Sequence, residues 1–126
     1  MSTLKVNTIQ DTSGGSGSTP AQIEQGRAKA WINFDGDGTI AIRDSFNVSS
    51  ITDNGTGDYT ITFSNAMANT NYCVTGSCTY LIGTVPRMRD LSPYVWATGS
   101  IRVITGYGDQ TMADHEVVSV AVFGAN

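Results

Sequence analysis

Few side chains in this sequence have the chemistry that catalysis requires. The one histidine, His115, lies between Asp114 and Glu116. Acid–base or nucleophilic catalysis needs a nucleophile and a base, or two carboxylates, held together in a cleft. A lone histidine beside two acids is more typical of a turn at the surface. We therefore interpret His115 as a surface turn residue and predict that the protein is not an enzyme.

The cysteines are equally poor candidates for a metal site. Cys73 and Cys78 are five positions apart in one apparent strand, which places them on opposite faces. Together with one histidine they are too few for a tetrahedral zinc site. A disulfide between them would need a sharp turn, which Gly76 could supply. We expect free thiols, because the N-terminus has no signal-peptide pattern and synthesis is expected in a reducing cytoplasm.

Acidic residues recur in two glycine-rich segments, 35–38 and 53–58. A helix–loop–helix calcium site needs acids at alternate positions and a glutamate at the twelfth, but the twelfth residue counted from Asp35 is Phe46. Aspartate, asparagine and glycine also suit tight turns, so we interpret both segments as turns. The glycine-rich stretch 14–17 lacks the strand, helix and lysine of a phosphate-binding loop. We expect neither a metal nor a cofactor.

Aromatic rings are the remaining candidates for a binding surface. Most of them lie in or just beyond apparent strands, where the core or a subunit contact explains them: Trp31, Tyr59, Tyr72, Tyr80 and Tyr107. Tyr94 and Trp96 follow Pro93 in a less regular region. These two are the candidate surface-binding aromatics, able to stack on a sugar.

The charge and hydrophobicity of the sequence limit the kinds of partner that the protein can bind. The chain has 126 residues, of which 14% are charged, with a net charge of −4. The seven Lys and Arg residues form no basic stripe, so we predict no nucleic-acid binding. No apolar run approaches the roughly 20 residues of a membrane span, so no insertion is expected. A surface of neutral polar side chains suits packing in an assembly, although a viral or secreted β-protein could have the same composition.

From Ala30 onward, apolar residues alternate with polar ones, as they do in strands. The predicted strands are residues 30–34, 39–43, 45–51, 59–63, 72–80, 100–105 and 117–123. Residues 81–97 are interpreted as a long loop with one edge strand. Short strands separated by turn residues predict an all-β fold, with residues 30–126 forming an antiparallel β-sandwich or jelly-roll-like module.

Residues 1–29 form a separate segment in this interpretation. A short strand is predicted over residues 4–9, followed by a Gly/Ser-rich flexible linker or extended loop over residues 11–18. Thr19 as N-cap, Pro20 at the first helical position and Gln22 three residues after the cap predict a short helix that Gly26 ends. So short a helix needs packing to persist.

Two apolar residues are candidates for an oligomer interface. Ile23 is the apolar anchor of the short helix, and a threefold axis would bring three copies of it together. Trp31 lies on the strand face opposite Ile32 and Phe34, so one large apolar group is left for a neighbour. The hypothesis is a homotrimer. The alternative is a monomer in which Trp31 lies under a loop.

Two stretches of the sequence carry a resemblance. The first is STLKVNTI, residues 2–9. The second is QGRAKAWINFDG, residues 25–36, continued by IAIRDSFNVSSI, residues 40–51, and DNGTGDYT, residues 53–60. They resemble tail-fibre and knob-type virion proteins of tailed bacteriophages, particularly those of cyanobacteria and marine bacteria. The likeness covers most of residues 1–65 and fades beyond.

The resemblance implies a structural protein of the virion, made in the host cytoplasm and commonly trimeric. The chain lacks the shaft of a long fibre, which favours a short tail fibre or knob that contacts the host surface, with a surface glycan as a candidate partner. A capsid decoration or head-fibre protein is the alternative within this class. A soluble carbohydrate-binding module is the alternative from another class. In the virion interpretation, Leu4, Val6 and Ile9 anchor the N-terminal arm to other virion proteins.

Overall fold

The computed structural model describes residues 1–80 and 88–125. It begins with a small two-stranded hairpin in which β1 (Ile9–Gln10) pairs with β2 (Gly17–Ser18). Between them the Asp11 carboxylate accepts hydrogen bonds from the backbone N–H groups of Ser13 and Gly15. The prediction of a strand from residue 4 was wrong, since the strand begins only at Ile9. Of the two alternatives for residues 11–18, the structure has a loop, which Asp11 organises into a turn leading into β2.

The short helix α1 (Pro20–Gly26) confirms the prediction made from its capping residues. The Thr19 hydroxyl accepts a hydrogen bond from the backbone N–H of Gln22, and the Gln22 side chain accepts one from the backbone N–H of Thr19. This reciprocal pair satisfies two N–H groups that a helix start otherwise leaves without partners. The helix ends at Gly26 and contacts the last strand of the sandwich.

The rest of the chain confirms the predicted all-β fold, an antiparallel sandwich of two four-stranded sheets. The strands are β3 (Ala30–Asp35), β4 (Ala41–Phe46), β5 (Val48–Gly55), β6 (Asp58–Phe63), β7 (Tyr72–Thr79), β8 (Asp90–Trp96), β9 (Ser100–Gly106) and β10 (Val117–Gly124). The first sheet, called sheet I, has the order β4-β3-β10-β7. The second, sheet II, has the order β5-β6-β9-β8. Strand β8 is the edge strand expected within 81–97, and residues 81–87 lie outside the described residues.

The core lies between the two sheets and follows the period-two pattern. In β3, β6, β9 and β10 every second side chain is buried, and these are the central strands of the two sheets. The buried set comprises Ala30, Ile32, Phe34, Tyr59, Ile61, Phe63, Ile101, Val103, Val118, Val120 and Val122. Removing these side chains from water supplies most of the folding free energy, as in other sandwiches.

The chain passes from sheet I to sheet II at Asn47. This residue has a φ of +55°, in the left-handed region that asparagine tolerates better than most residues. Its side-chain amide donates to the carbonyl oxygens of Lys29 and Asn65 at 3.0 and 3.1 Å. The single strand predicted over residues 45–51 was therefore wrong: the chain breaks at Asn47, and strands β4 and β5 belong to different sheets.

Two aromatic pairs join the sheets. Phe34 in sheet I meets Tyr59 in sheet II edge to face, with ring centroids 5.0 Å apart. Tyr72 in sheet I meets Phe63 in sheet II in the same manner at 6.0 Å. Such pairs contribute about 0.5–1.5 kcal/mol beyond the area they bury.

The hydroxyl groups of both tyrosines also lie within hydrogen-bond distance of backbone carbonyl oxygens in the connecting turns. The Tyr59 hydroxyl lies 2.7 Å from the Gly36 carbonyl oxygen and 2.8 Å from the Asp114 carboxylate, and donates its proton to one of these acceptors. The Tyr72 hydroxyl lies 2.9 Å from the carbonyl oxygens of Ala97 and Ser100, in the β8–β9 turn. The aromatic pairs therefore fix the sheets and the connecting turns together.

Replacing Tyr59 by phenylalanine should lower the free energy of unfolding by about 1–3 kcal/mol, because a buried acceptor would lose its donor. Urea unfolding followed by tryptophan fluorescence measures this change. Tyr94→Phe is the matched control, since Tyr94 is exposed and its hydroxyl makes only a long hydrogen bond to the Asp58 carboxylate, at 3.3 Å, so its loss should cost less than about 0.5 kcal/mol. Equal losses in the two variants would contradict the role given to the Tyr59 hydroxyl.

Candidate functional site

The N-terminal arm, residues 1–8, belongs to no helix or strand and is exposed throughout. Two of the predicted anchoring residues, Leu4 and Val6, lie in it, and Leu4 has 84% of its surface exposed. The third, Ile9, begins strand β1 and is also exposed. Val6 is 37% exposed and Ile9 56%, so the chain covers these three side chains only in part, and exposed apolar side chains favour contact with another chain.

Helix α1 lies between this arm and the sandwich. Glu24 on the helix forms ion pairs with Arg27 and Lys29, and the Lys29 side chain is largely buried. The hydrogen bond from Lys29, followed by that from Arg27, lowers the pKa of the Glu24 carboxyl. Ile23, the predicted interface residue, is 42% exposed. The ion pairs hold the helix against the start of β3 while Ile23 stays accessible.

The outer face of sheet I carries the other predicted interface residue. Trp31 points away from the core, as predicted, and lies opposite the exposed Phe46 of β4. The outward side chains of the neighbouring strands β10 and β7 are all uncharged: Val117, Ser119, Ala121, Phe123, Cys73, Thr75, Ser77 and Thr79. Asn33 crosses this face to donate a hydrogen bond to the Ser119 hydroxyl at 2.8 Å. The part of this face formed by β10 and β7 is uncharged, whereas the part formed by β3 and β4 carries Trp31 and Phe46 together with Asp35 and Asp44.

A polar cluster occupies the outer face of sheet II. Arg102 of β9 donates two hydrogen bonds to the two carboxylate oxygens of Asp58 on β6, at 2.7 and 2.8 Å. The Tyr94 ring lies over the Arg102 guanidinium, with 5.2 Å between the guanidinium carbon and the ring centroid. Asn54 donates to the Thr60 hydroxyl at 2.8 Å beside this pair. We call Tyr94, Arg102, Asp58, Asn54 and Thr60 the sheet II cluster.

Arg102 determines the ionisation of Asp58 in the sheet II cluster. The hydrogen bonds from Arg102 lower the pKa of the Asp58 carboxyl, and the same bonds raise the pKa of Arg102. Asp58 is therefore held ionised and both of its oxygens are engaged, so it is a poor general base. The cluster can hold the Tyr94 ring at a fixed angle, with 42% of that residue exposed.

The two candidate surface-binding aromatics do not form one platform. Tyr94 lies where the register between β8 and β9 shifts, and its ring stacks on Arg102. Trp96 pairs with the buried Ile101, so it follows the inward-facing row of β9, although it remains 41% exposed at the sheet edge. The rings make no stacking contact with each other, and a sugar bound at Tyr94 would not reach both by stacking.

The interpretation of His115 as a surface turn residue was wrong. Its side chain is completely buried. Nδ1 lies 3.0 Å from the Ala113 carbonyl oxygen, and Nε2 has no hydrogen-bond partner among the described residues. The rings of Tyr80 and Tyr107 pack against the imidazole at centroid distances of 5.1 and 6.0 Å. Contacts with residues far apart in the sequence bury it, and the local pattern of acids gave no sign of them.

The described contacts of the His115 imidazole are one backbone carbonyl and two aromatic rings. Burial lowers the pKa of the imidazole, which is therefore neutral at pH 7, and the charge of Arg89 lowers it as well. The Arg89 guanidinium lies 4.7 Å from the Tyr107 ring centroid. Within residues 1–80 and 88–125, no three histidine, cysteine, aspartate or glutamate side chains group as metal ligands. The two thiols are free, with Cys73 exposed and Cys78 buried.

Sequence reasoning also missed the sheet II cluster. Asp58 was interpreted only as a turn residue, and Arg102 received no role. The strand register brings Asp58 and Arg102 together. Strands β6 and β9 are adjacent, and Thr60, two residues after Asp58, pairs with Arg102. Opposite charges at outward positions of two strands are a signal for such a pair, but only when the strand order is known.

The burial of His115 predicts a pH-dependent stability. In the unfolded chain the imidazole titrates near pH 6.5, whereas its pKa in the folded protein is lower. Below about pH 6.5 the unfolded state binds more protons, so the free energy of unfolding should fall, and this effect should level off below the folded-state pKa. Urea unfolding between pH 8 and pH 5 measures it. His115→Gln should remove this slope, and an unchanged slope in that variant would contradict the assignment.

The comparisons with known proteins leave the function to be argued from these surfaces. No protein-family model matches the chain, and no curated protein or solved structure is significantly similar to it. Among the described residues, no helix combines the length and apolarity needed to cross a membrane. The features that remain to be explained are the exposed arm, the uncharged outer face of β10 and β7, and the sheet II cluster.

Proposed function

We propose that the protein is a structural subunit of a bacteriophage virion, a short tail fibre or knob attached to the particle by its N-terminal arm. The observation that carries this proposal is the arm itself. Residues 1–8 lie outside the sandwich and expose Leu4 and Val6. A segment of this kind suits strand addition to a partner, in which main-chain hydrogen bonds supply affinity and alternate side chains supply specificity.

The resemblance of residues 2–9 and 25–60 to tail-fibre and knob-type proteins supports the same function. In this layout the arm attaches to the particle and the sandwich faces outward. A capsid decoration or head-fibre protein has an identical layout at a different place on the particle. A receptor distinguishes the two, since only the fibre or knob needs one.

The neutral surface supports a homotrimer. The outward side chains of β7 and β10 are uncharged, so packing against another chain would desolvate no charge there. Trp31 and Phe46 adjoin this face, and Ile23 projects from helix α1. In the proposed trimer Ile23 lies near the threefold axis and Trp31 lies at or near the interface.

The sheet II cluster supports a contact with a neutral glycan at the host surface. The Tyr94 ring is exposed and is held in place by Arg102, so stacking on a sugar would cost little side-chain entropy. The same observation favours the second candidate, a soluble carbohydrate-binding module. The exposed apolar arm favours the virion protein, because a soluble module has no use for an unattached arm.

Removal of residues 1–18 should leave a protein that folds but does not join the particle. Only exposed side chains are lost, so the unfolding midpoint in urea should stay within the error of the full chain. Incorporation is measured by supplying the tagged variant during infection with phage that lacks the gene and blotting purified particles. Full-length tagged protein is the control. Normal incorporation of the truncated protein would overturn the arm as anchor.

The proposed trimer predicts a mass near three times 13.3 kDa in light scattering at micromolar concentration. Ile23→Asp should raise the dissociation constant by roughly tenfold or more, because three carboxylates near one axis repel each other. Ser50→Asp, on the exposed outer face of β5, adds the same charge away from the axis and should have no effect. A mass near 13 kDa for the unmodified protein would overturn the trimer.

A further inference from the structure

The two sheets have four edge strands, and three of them carry features that discourage pairing with another strand. Strand β4 has adjacent charges at Arg43 and Asp44. Strand β5 carries Asp53 and has two shifts of register against β6. Strand β8 contains Pro93, and its register with β9 shifts just after that residue. Charges, bulges and proline are the usual protection of exposed edges.

Strand β7, the fourth edge, has none of these features. It is eight residues long, Tyr72–Thr79, and contains neither a charged residue nor a proline. It pairs with β10 through all eight residues without a shift of register. Its outer edge makes no backbone hydrogen bond within residues 1–80 and 88–125. A long, regular and uncharged edge of this kind is a template for one more strand.

The N-terminal arm has the dimensions and the pattern of that strand. Residues 2–8 would span about 23 Å when extended, close to the length of an eight-residue strand. Leu4 and Val6 would point to one face, and Lys5 and Asn7 to the other. The arm carries a single charged side chain, Lys5, and β7 has none, so no charge on β7 repels the arm.

We infer that β7 of one copy accepts residues 2–8 of a second copy as the fifth strand of sheet I. The inference rests on the proposed function, because it names the partner that the arm contacts within the oligomer. The donor and acceptor surfaces differ, so the contact is head-to-tail and closes into a ring when its rotation matches the symmetry. A threefold ring of this kind leaves no β7 edge open, and the trimer assembled through its arms is then the unit that joins the particle.

The side of β7 that faces the core can receive the apolar side chains of the arm. Val74 and Gly76 point to that side, and Leu91 of β8 packs against Gly76 across the gap between the sheets. Leu4 and Val6 would pack beside Val74 and Leu91 at the edge of the core and would no longer be exposed to water. Lys5 and Asn7 would then lie beside Thr75 and Ser77, on the exposed outer face of sheet I.

Disulfide trapping with the native Cys73 tests this arrangement. Cys73 is exposed and lies on the outer face of β7. Single cysteines are introduced at Thr3, Lys5 or Asn7, and at Leu4 or Val6, and the protein is oxidised with oxidised glutathione. Neighbouring strands place paired Cα atoms about 4.5–5.5 Å apart, within disulfide reach. Cross-linked dimers at partial oxidation and a cross-linked trimer at full oxidation are expected from one of the first three positions, and neither species from the last two.

As a control for the acceptor strand, the thiol is moved from β7 to another edge strand. Cys73→Ser should abolish the cross-link, and adding Thr52→Cys on the edge strand β5 in that background should not restore it. Because the donor cysteines lie in an exposed arm, these variants keep the sandwich intact.

Three outcomes would overturn the inference: no cross-link to Cys73 in a protein that remains oligomeric, a disulfide within one chain, or equal cross-linking to β5. If any of these occurs while removal of residues 1–18 still prevents incorporation into particles, the proposed function stands and the arm contacts a different virion protein. If incorporation is also normal without the arm, the proposed function fails together with the inference.

Discussion

The structure depends on one interaction above the others, the contact of Tyr59 with both sheets and with the loops at one end of the sandwich. Its ring packs on Phe34 across the core, and its hydroxyl reaches Gly36 and Asp114. The Asp114 carboxylate also accepts a hydrogen bond from the backbone N–H of Gly57, in the β5–β6 turn. Gly57 has a φ of +63° and leaves no room for a Cβ atom. One side chain thus sets the distance between the sheets and the position of three turns.

Because contacts between the sheets hold the fold together, the outer faces of the sheets are available for contacts with other molecules. The core residues and the two aromatic pairs hold the sandwich, so the outward positions of β7 and β10 need not contribute to folding. They are uncharged, so covering them with a neighbouring chain removes no charge from water. The same reasoning applies to the arm, whose apolar residues add nothing to the stability of the single chain.

Local patterns account for the parts of the fold that could be predicted. Alternation of apolar residues marked the central strands because one face of each is buried, and the reciprocal Thr19–Gln22 capping marked the helix because its contacts are local. The break at Asn47, the burial of His115 and the pairing of Asp58 with Arg102 depend on residues far apart in the sequence. No local pattern encodes them. Of the candidate sites, the exposure of Trp31 followed from period two, whereas the separation of Tyr94 from Trp96 depends on a shift of register in β8.

The central claim is that this chain is a structural subunit of a phage particle, held there by its arm. Electron cryomicroscopy of purified particles of the phage that carries the gene tests it most directly. The account predicts threefold-related copies of the sandwich projecting from the particle, with the N-terminal residues ordered against a neighbouring chain. Particles that lack the chain, or copies whose residues 2–8 extend into solvent while the sandwich alone makes the contacts, would contradict it.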